Sequence, residues 1–234
     1  KISFGARMVR GFMWLLGQQP LRVHYFWAGL IAWLLRRVLH YREAVIYINL
    51  SKAFPEKSYS DIRRIARQYY RHMAEMIVEA VWFGGSSLKR LHKARLVEMA
   101  NPELLRDLVA EGRSVIIMDS HCGNWELLGG VPAYIYSDVE FPVEFENFRV
   151  VYKKLSSRLA DDVFYNNRRA PLPRYEGMIE STGLLRHLLA NRGKRMIYLV
   201  NSDQYPRQTG VDVGTFLNLP TTAFSGTAAM AHKL

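Results

Sequence analysis

Apolar residues first gather in two short runs, Phe12-Met13-Trp14-Leu15-Leu16 and Tyr25 through Leu35, flanked by Arg7, Arg10, Arg22, Arg36 and Arg37. Both are shorter than the roughly 20 residues that span a bilayer. Tryptophan, tyrosine and arginine together favour the headgroup boundary, with rings half-immersed and cations reaching anionic lipid, so the stretch reads as an interfacial anchor. A core helix of a soluble bundle would show a related pattern. A signal peptide is disfavoured, because no small-residue cleavage site precedes Tyr41-Arg42-Glu43.

Between Ser58 and Phe83 the period changes. Ile62, Ile65, Ala66, Tyr69, Tyr70, Met73, Met76, Ile77 and Ala80 recur at steps of three and four, as on one face of a helix. Ser58 or Ser60 would cap it and Gly84-Gly85 would end it. A short helix is predicted from Pro102 to Ala110, with Asn101 as cap, followed by a buried strand at Val115-Ile116-Ile117-Met118. Further helices are predicted over Ser156 to Asn167 and Met178 to Ala190, and after a break at Asn191 to Lys194 a second strand at Met196 to Val200. Alternating helices and strands predict an α/β fold with a mostly parallel central sheet flanked by helices. The division expected is a membrane-associated helical region over 1–57 and a catalytic domain over 58–234. The start at Lys1 and the unfinished look of Thr221 to Leu234 suggest a piece of a longer chain.

Composition narrows the partners. The chain has 234 residues, 49% hydrophobic, which suffices for one sizeable core without disorder. Its net charge of +11 implies something negative: nucleic acid, anionic lipid or an acidic carrier protein. Cys122 is the only cysteine, so there is no internal disulfide, and cytosolic exposure of the soluble part is expected.

The polar residues that could do chemistry follow the two clearest strands, in Asp119 through Glu126 and in Asn201-Ser202-Asp203-Gln204-Tyr205-Pro206. Open parallel sheets place their sites at these carboxyl ends. On one continuous helix His121 and Glu126 would point about 140 degrees apart. If His121 lies in a loop and a helix begins near Gly123-Asn124, Glu126 falls in the first turn, where negative charge is favoured, and its carboxylate can reach back to the imidazole. The carboxylate would then fix the tautomer, leaving the other ring nitrogen free to take a proton from a hydroxyl. Gly123 would let the helix start and substrate approach closely. A histidine that merely caps or packs gives the same spacing by chance.

The segment Ser120-His121-Cys122-Gly123-Asn124-Trp125-Glu126 resembles the H-x4-E signature of the bacterial lipid A late acyltransferases, within the lysophospholipid acyltransferase superfamily. The resemblance extends to Asn49-Leu50, Ala53-Phe54-Pro55-Glu56, Val151-Tyr152, Ser202-Asp203-Gln204 and Val213 through Thr222, and so covers nearly the whole chain. It implies a glycerolipid acyltransferase-like fold and transfer of a fatty acyl group from acyl carrier protein, or a coenzyme A thioester, to a hydroxyl of a lipid A precursor. His121 would be the base and Glu126 its partner, and no covalent intermediate or bound cofactor is implied. Amides near Gly123 and Asn124 are the expected donors to the oxyanion. Arg168 or Arg169 matches an arginine that meets lipid phosphate, for which a planar two-donor fork is suited; two solvated arginines at a helix end are the plain alternative. Asp203 and Gln204 would shape the site or hold its loops together. The family implies the cytoplasmic face of the bacterial inner membrane, with peripheral or monotopic attachment. Members continue beyond the point where this sequence stops, and the acidic stretch from Ser137 to Phe148 is longer than the family pattern.

Other readings are weaker. The acceptor could be a lysophospholipid, an aminolipid or a phosphoinositide mannoside. Acyl transfer through Cys122 is disfavoured, since sequential neighbours usually point apart. A nucleic-acid module would need a recognition signature that the 32 lysines and arginines do not form, so no nucleic acid partner is expected. No phosphate-binding glycine loop follows either strand, and no second histidine stands at metal-ligand spacing.

Overall fold

A computed structural model describes residues 2–172, 177–204 and 210–233. Tyr205, Pro206 and Leu234, which entered the sequence expectations, lie outside the described residues. In chain order the helices and strands begin with α1 (Phe4–Gly17), α2 (Leu21–Arg37), α3 (Glu43–Ala53), α4 (Tyr59–Gly84), α5 (Leu88–Ala94), α6 (Pro102–Ala110) and β1 (Val115–Asp119). After a 3-10 helix at Trp125–Ala133 come β2 (Phe148–Tyr152), α7 (Arg158–Arg168), β3 (Met178–Glu180), α8 (Leu184–Ala190), β4 (Ile197–Asn201), β5 (Val211–Phe216), β6 (Leu219–Ala223) and α9 (Gly226–Lys233). Contacts divide the chain into two compact units. One comprises Lys1–Gln18, Ala80–Gln204 and Ser225–Leu234; the other comprises Gln19–Glu79 and Tyr205–Phe224.

The first unit is α/β. Its four strands are ordered β1-β4-β2-β3 and every pairing is parallel, flanked by helices as the alternation predicts. β4 sits between β1 and β2, and four of its five residues are buried. Leu184 and Leu188 of α8 pack with Met196, Tyr198 and Val200, and Ile116, Val151, Ile179 and Met230 close around them. Two expectations are corrected. β1 is an edge strand, and Met118 is half exposed, because an apolar run carries no information about which strands end up outermost. The helix expected from Met178 begins only at Leu184. Met178 and Ile179 instead pair in parallel with β2, and a 3-10 turn at Ser181–Gly183 intervenes.

The second unit is helical with one hairpin. Ile62, Ala66, Tyr70, Ala74 and Val78 are buried at strict four-residue steps along α4, while Tyr69 and Ile77 of the predicted face are exposed. Ser58 is the cap, accepting from the Asp61 amide at 3.2 Å. α2 packs on α4 through Ala28, Ala32, Ala74 and Val78, and α3 through Ile46 against Ala66 and Tyr70. β5 and β6 form an antiparallel hairpin, turned by Leu217 and Asn218 at positive φ, as a two-residue primed turn requires. Among the described residues no helix is long and apolar enough to cross a membrane.

Back in the α/β unit, a close approach fixes the 3-10 helix against the end of α7. A Cβ on Gly129 would overlap the carbonyl oxygen of Arg168. Gly129→Ala is therefore expected to destabilise by about 1–3 kcal/mol, lowering Tm by about 2–4 °C for each kcal/mol. Gly193→Ala, whose Cβ would meet open space, is expected to leave Tm unchanged in the same calorimetric scan.

Candidate active site

Parallel pairing of β1 with β4 puts Asp119 opposite Asn201, so the loops after both strands leave the sheet at one level. The Ser202 amide donates to the Asp119 carbonyl at 2.9 Å, tying the loop roots together. The first loop then turns at Gly123, whose φ of +67° lies in the region that glycine favours. Open space surrounds its missing Cβ, so backbone conformation rather than crowding calls for the glycine. Asn124 caps the 3-10 helix, its side chain accepting from the Glu126 amide at 3.2 Å, and Glu126 lies in the first turn. The helix start near Gly123-Asn124 is the one expected, with 3-10 instead of α geometry.

The partner of His121 is not the one expected. His121 Nδ1 lies 2.6 Å from Asp203 Oδ1, and the His121 backbone amide donates to Asp203 Oδ2 at 2.7 Å. One carboxylate thereby holds both the ring and the backbone of the histidine. With Nδ1–H donating to Asp203, Nε2 carries the lone pair, and the Gln204 amide Nε2 stands 3.2 Å from it. The Trp125 ring meets the imidazole edge-on, with centroids 4.7 Å apart. Burial alone would raise the Asp203 pKa, but hydrogen bonds from the His121 side chain and amide outweigh it and hold the carboxyl below its ordinary value.

Glu126 is committed elsewhere. Arg168 donates to it through Nε at 2.7 Å and through a terminal nitrogen at 2.6 Å, and both side chains are largely buried, at 20% and 13% exposure. A two-point guanidinium–carboxylate pair of this kind takes up both carboxylate oxygens along their favoured directions. Asp203, in the loop that follows β4, takes the imidazole, and Arg168 takes both oxygens of Glu126, so the His121–Glu126 pairing expected from the spacing gives way. The two arginines at the end of α7 are also told apart. Arg168 holds Glu126 and stacks on Phe164, while Arg169 stacks on Tyr165 and is close enough to Arg10 to help burial lower that residue's pKa.

The family model for bacterial lipid A biosynthesis acyltransferases matches residues 2–234. The chain belongs to that family. A search of curated proteins finds no match to the chain. Family members are acyltransferases, and in this acyltransferase the loop that carries the H-x4-E pattern is the one that presents His121. The exposed Cys122 follows directly, with its amide on Ser120 Oγ at 3.3 Å. The sequence lets Asp203 shape the site or hold its loops but does not pair it with His121. The signal that would have found it is an acidic residue just past the end of the strand that pairs with β1, in the acyltransferase's own register.

Asp203 is expected to stabilise the acyltransferase only while ionised. Its folded pKa lies below the unfolded value of about 3.9, so the contribution is full above that value and is lost as pH falls through the folded one. Melting of wild type and Asp203→Asn at falling pH is expected to show a gap in Tm that closes as pH falls below about 4; a gap undiminished at about pH 2 would contradict the assignment. For the second carboxylate, Glu126→Gln leaves a mostly buried guanidinium without its charge partner and is expected to cost about 1–3 kcal/mol, between surface and buried pairs. Adding Arg168→Gln is expected to recover part of that loss in a double-mutant cycle read by chemical denaturation.

Proposed function

We propose that the acyltransferase moves a fatty acyl chain from the thioester of acyl carrier protein to a hydroxyl of a lipid A precursor, with His121 as general base. The observation that carries this reading is the hold of Asp203 on both the ring and the backbone of His121, which engages Nδ1 and puts the Nε2 lone pair on the side that Gln204 meets, where an acceptor hydroxyl would replace the amide. In the proposed step His121 Nε2 takes the proton of the acceptor hydroxyl as the oxygen attacks the thioester carbonyl. The carbon–sulfur bond then breaks, and the departing thiolate takes the proton back from the imidazolium, giving ester and free thiol. Amides at Gly123 and Asn124 face the developing oxyanion in this scheme. Glu126 acts by holding Arg168, so it is a positioning residue, and Arg169 beside Arg10 offers a fork for the acceptor's phosphate. Gln204 completes the polar wall against which the acceptor lies. The same steps serve a coenzyme A thioester, and no cofactor takes part.

The setting proposed is the cytoplasmic face of the bacterial inner membrane, with residues 1–57 as the membrane-associated region, attached peripherally or monotopically, and 58–234 carrying the chemistry. Exposed Phe12, Trp14 and Leu15 on α1, and Phe26, Trp27 and Leu30 on α2, support an interfacial role. His121→Ala is expected to reduce transfer from acyl carrier protein to a purified lipid A precursor by about 10²–10⁴-fold, the usual range for a general base. Product mass spectrometry reads the transfer, and a variant as active as wild type would remove His121 from the mechanism.

A further inference from the structure

The helical unit contains a concave site that plays no part in the reading above. A cleft of about 590 Å³ opens between α2 and α4, within the usual range for small-molecule sites. Gly29, Ala32, Trp33 and Arg36 line it from α2, and Arg67, Arg71 and Glu75 line it from α4. Its lining residues all belong to the unit that does not contain His121.

The arginines are unevenly neutralised. Arg71 is braced, donating through Nε to Glu75 at 2.6 Å and through a terminal nitrogen to the Tyr25 carbonyl at 3.3 Å, and its guanidinium passes over Gly29. Among the described residues no carboxylate lies within ion-pair distance of Arg36 or Arg67, nor of the neighbouring Arg37 and Arg63. Desolvation, then Arg37, Arg67 and Arg63, lower the Arg36 pKa, as expected for cations gathered without counter-charge; only the Tyr47 hydroxyl acts the other way. Such a group is stabilised by an anion that guanidinium forks can grip at two points. The chemistry around it is amphipathic. Trp33 is half exposed, and Phe26, Trp27 and Leu30 stand exposed along the same helix. An acidic protein would bring carboxylates to a broad face of about 800 Å² per partner, whereas a headgroup-sized cleft with an indole beside three guanidiniums suits a phosphodiester that carries acyl chains.

We propose that this cleft binds the phosphate headgroup of an anionic membrane phospholipid, with Arg36 and Arg67 gripping the phosphate, Arg71 completing the cradle, and Trp33 against the acyl chains. The proposal builds on the membrane-surface setting but not on the acyl-transfer chemistry, and the two are tested apart.

The test is flotation of the full chain with vesicles of phosphatidylcholine alone and of phosphatidylcholine doped with phosphatidylglycerol. Arg36→Gln/Arg67→Gln is expected to lose about 10–30-fold in affinity for the anionic vesicles, at about one tenfold step or less per cation, and to bind neutral vesicles like wild type. Arg106→Gln/Arg113→Gln removes equal charge from exposed sites already paired with Asp107 and Glu111, and is expected to lose less than about 3-fold. Arg36→Lys/Arg67→Lys keeps the charge, serves if the glutamine variant does not fold, and is expected to fall between the two because the fork is lost. Soluble short-chain phosphatidylglycerol is expected to compete, and inorganic phosphate at the same concentration is not. Equal losses for both glutamine pairs would reduce the site to diffuse charge and overturn the proposal. So would competition by phosphate alone. Transfer to a detergent-solubilised acceptor, measured in parallel, is expected to be unaffected by Arg36→Gln/Arg67→Gln, so a failure of the acyl-transfer reading is seen independently of vesicle binding.

Discussion

The site depends on the register of two parallel strands. Because β1 and β4 lie side by side with Asp119 opposite Asn201, the residue two beyond one strand meets the residue two beyond the other, and those residues are His121 and Asp203. A slip of one position in that pairing would turn the alternating side chains to opposite faces and separate the pair. The register is held in turn by the packing of β4, where Tyr198 and Val200, with Met196 just before the strand, pack against Leu184 and Leu188 of α8. Packing several residues below the loops thus sets a distance of 2.6 Å at their tips.

A second constraint acts from the other side of the loop. The 3-10 helix that starts at Trp125 is pinned by two contacts with the end of α7: the Glu126–Arg168 pair and the approach of Gly129 to the Arg168 carbonyl. One arginine therefore meets the helix with both its backbone and its side chain. That leaves little freedom for the intervening loop, and His121 is anchored at its amide as well as at its ring. The imidazole is held from both ends of a short segment, which is the preorganisation that general-base chemistry needs.

Much of this was legible in the sequence. Helix periodicity, caps and apolar runs were enough to place α4, α6, β4 and the parallel α/β class, because these signals are local. The loop-to-helix junction at Gly123-Asn124 was legible for the same reason, since a positive φ and an Asn cap leave marks in residue type. Three features were not. The edge position of β1 depends on strand order, which no single segment encodes. The replacement of a helix start by β3 at Met178 depends on the neighbouring β2, since a short apolar stretch fits either state. The exchange of carboxylate partners, Asp203 for His121 and Arg168 for Glu126, joins residues 82 and 42 positions apart, and sequence spacing says nothing about such distances.

The Gln204 amide beside His121 Nε2 bears on how the proposed base would be kept ready. A lone pair that already receives a hydrogen bond from a side chain is not left bare before a substrate arrives. An incoming alcohol would trade places with a tethered amide, so the count of hydrogen bonds stays level and little is lost to desolvation. A base kept in this way would need no rearrangement on the acceptor's arrival beyond the turning of one side-chain amide.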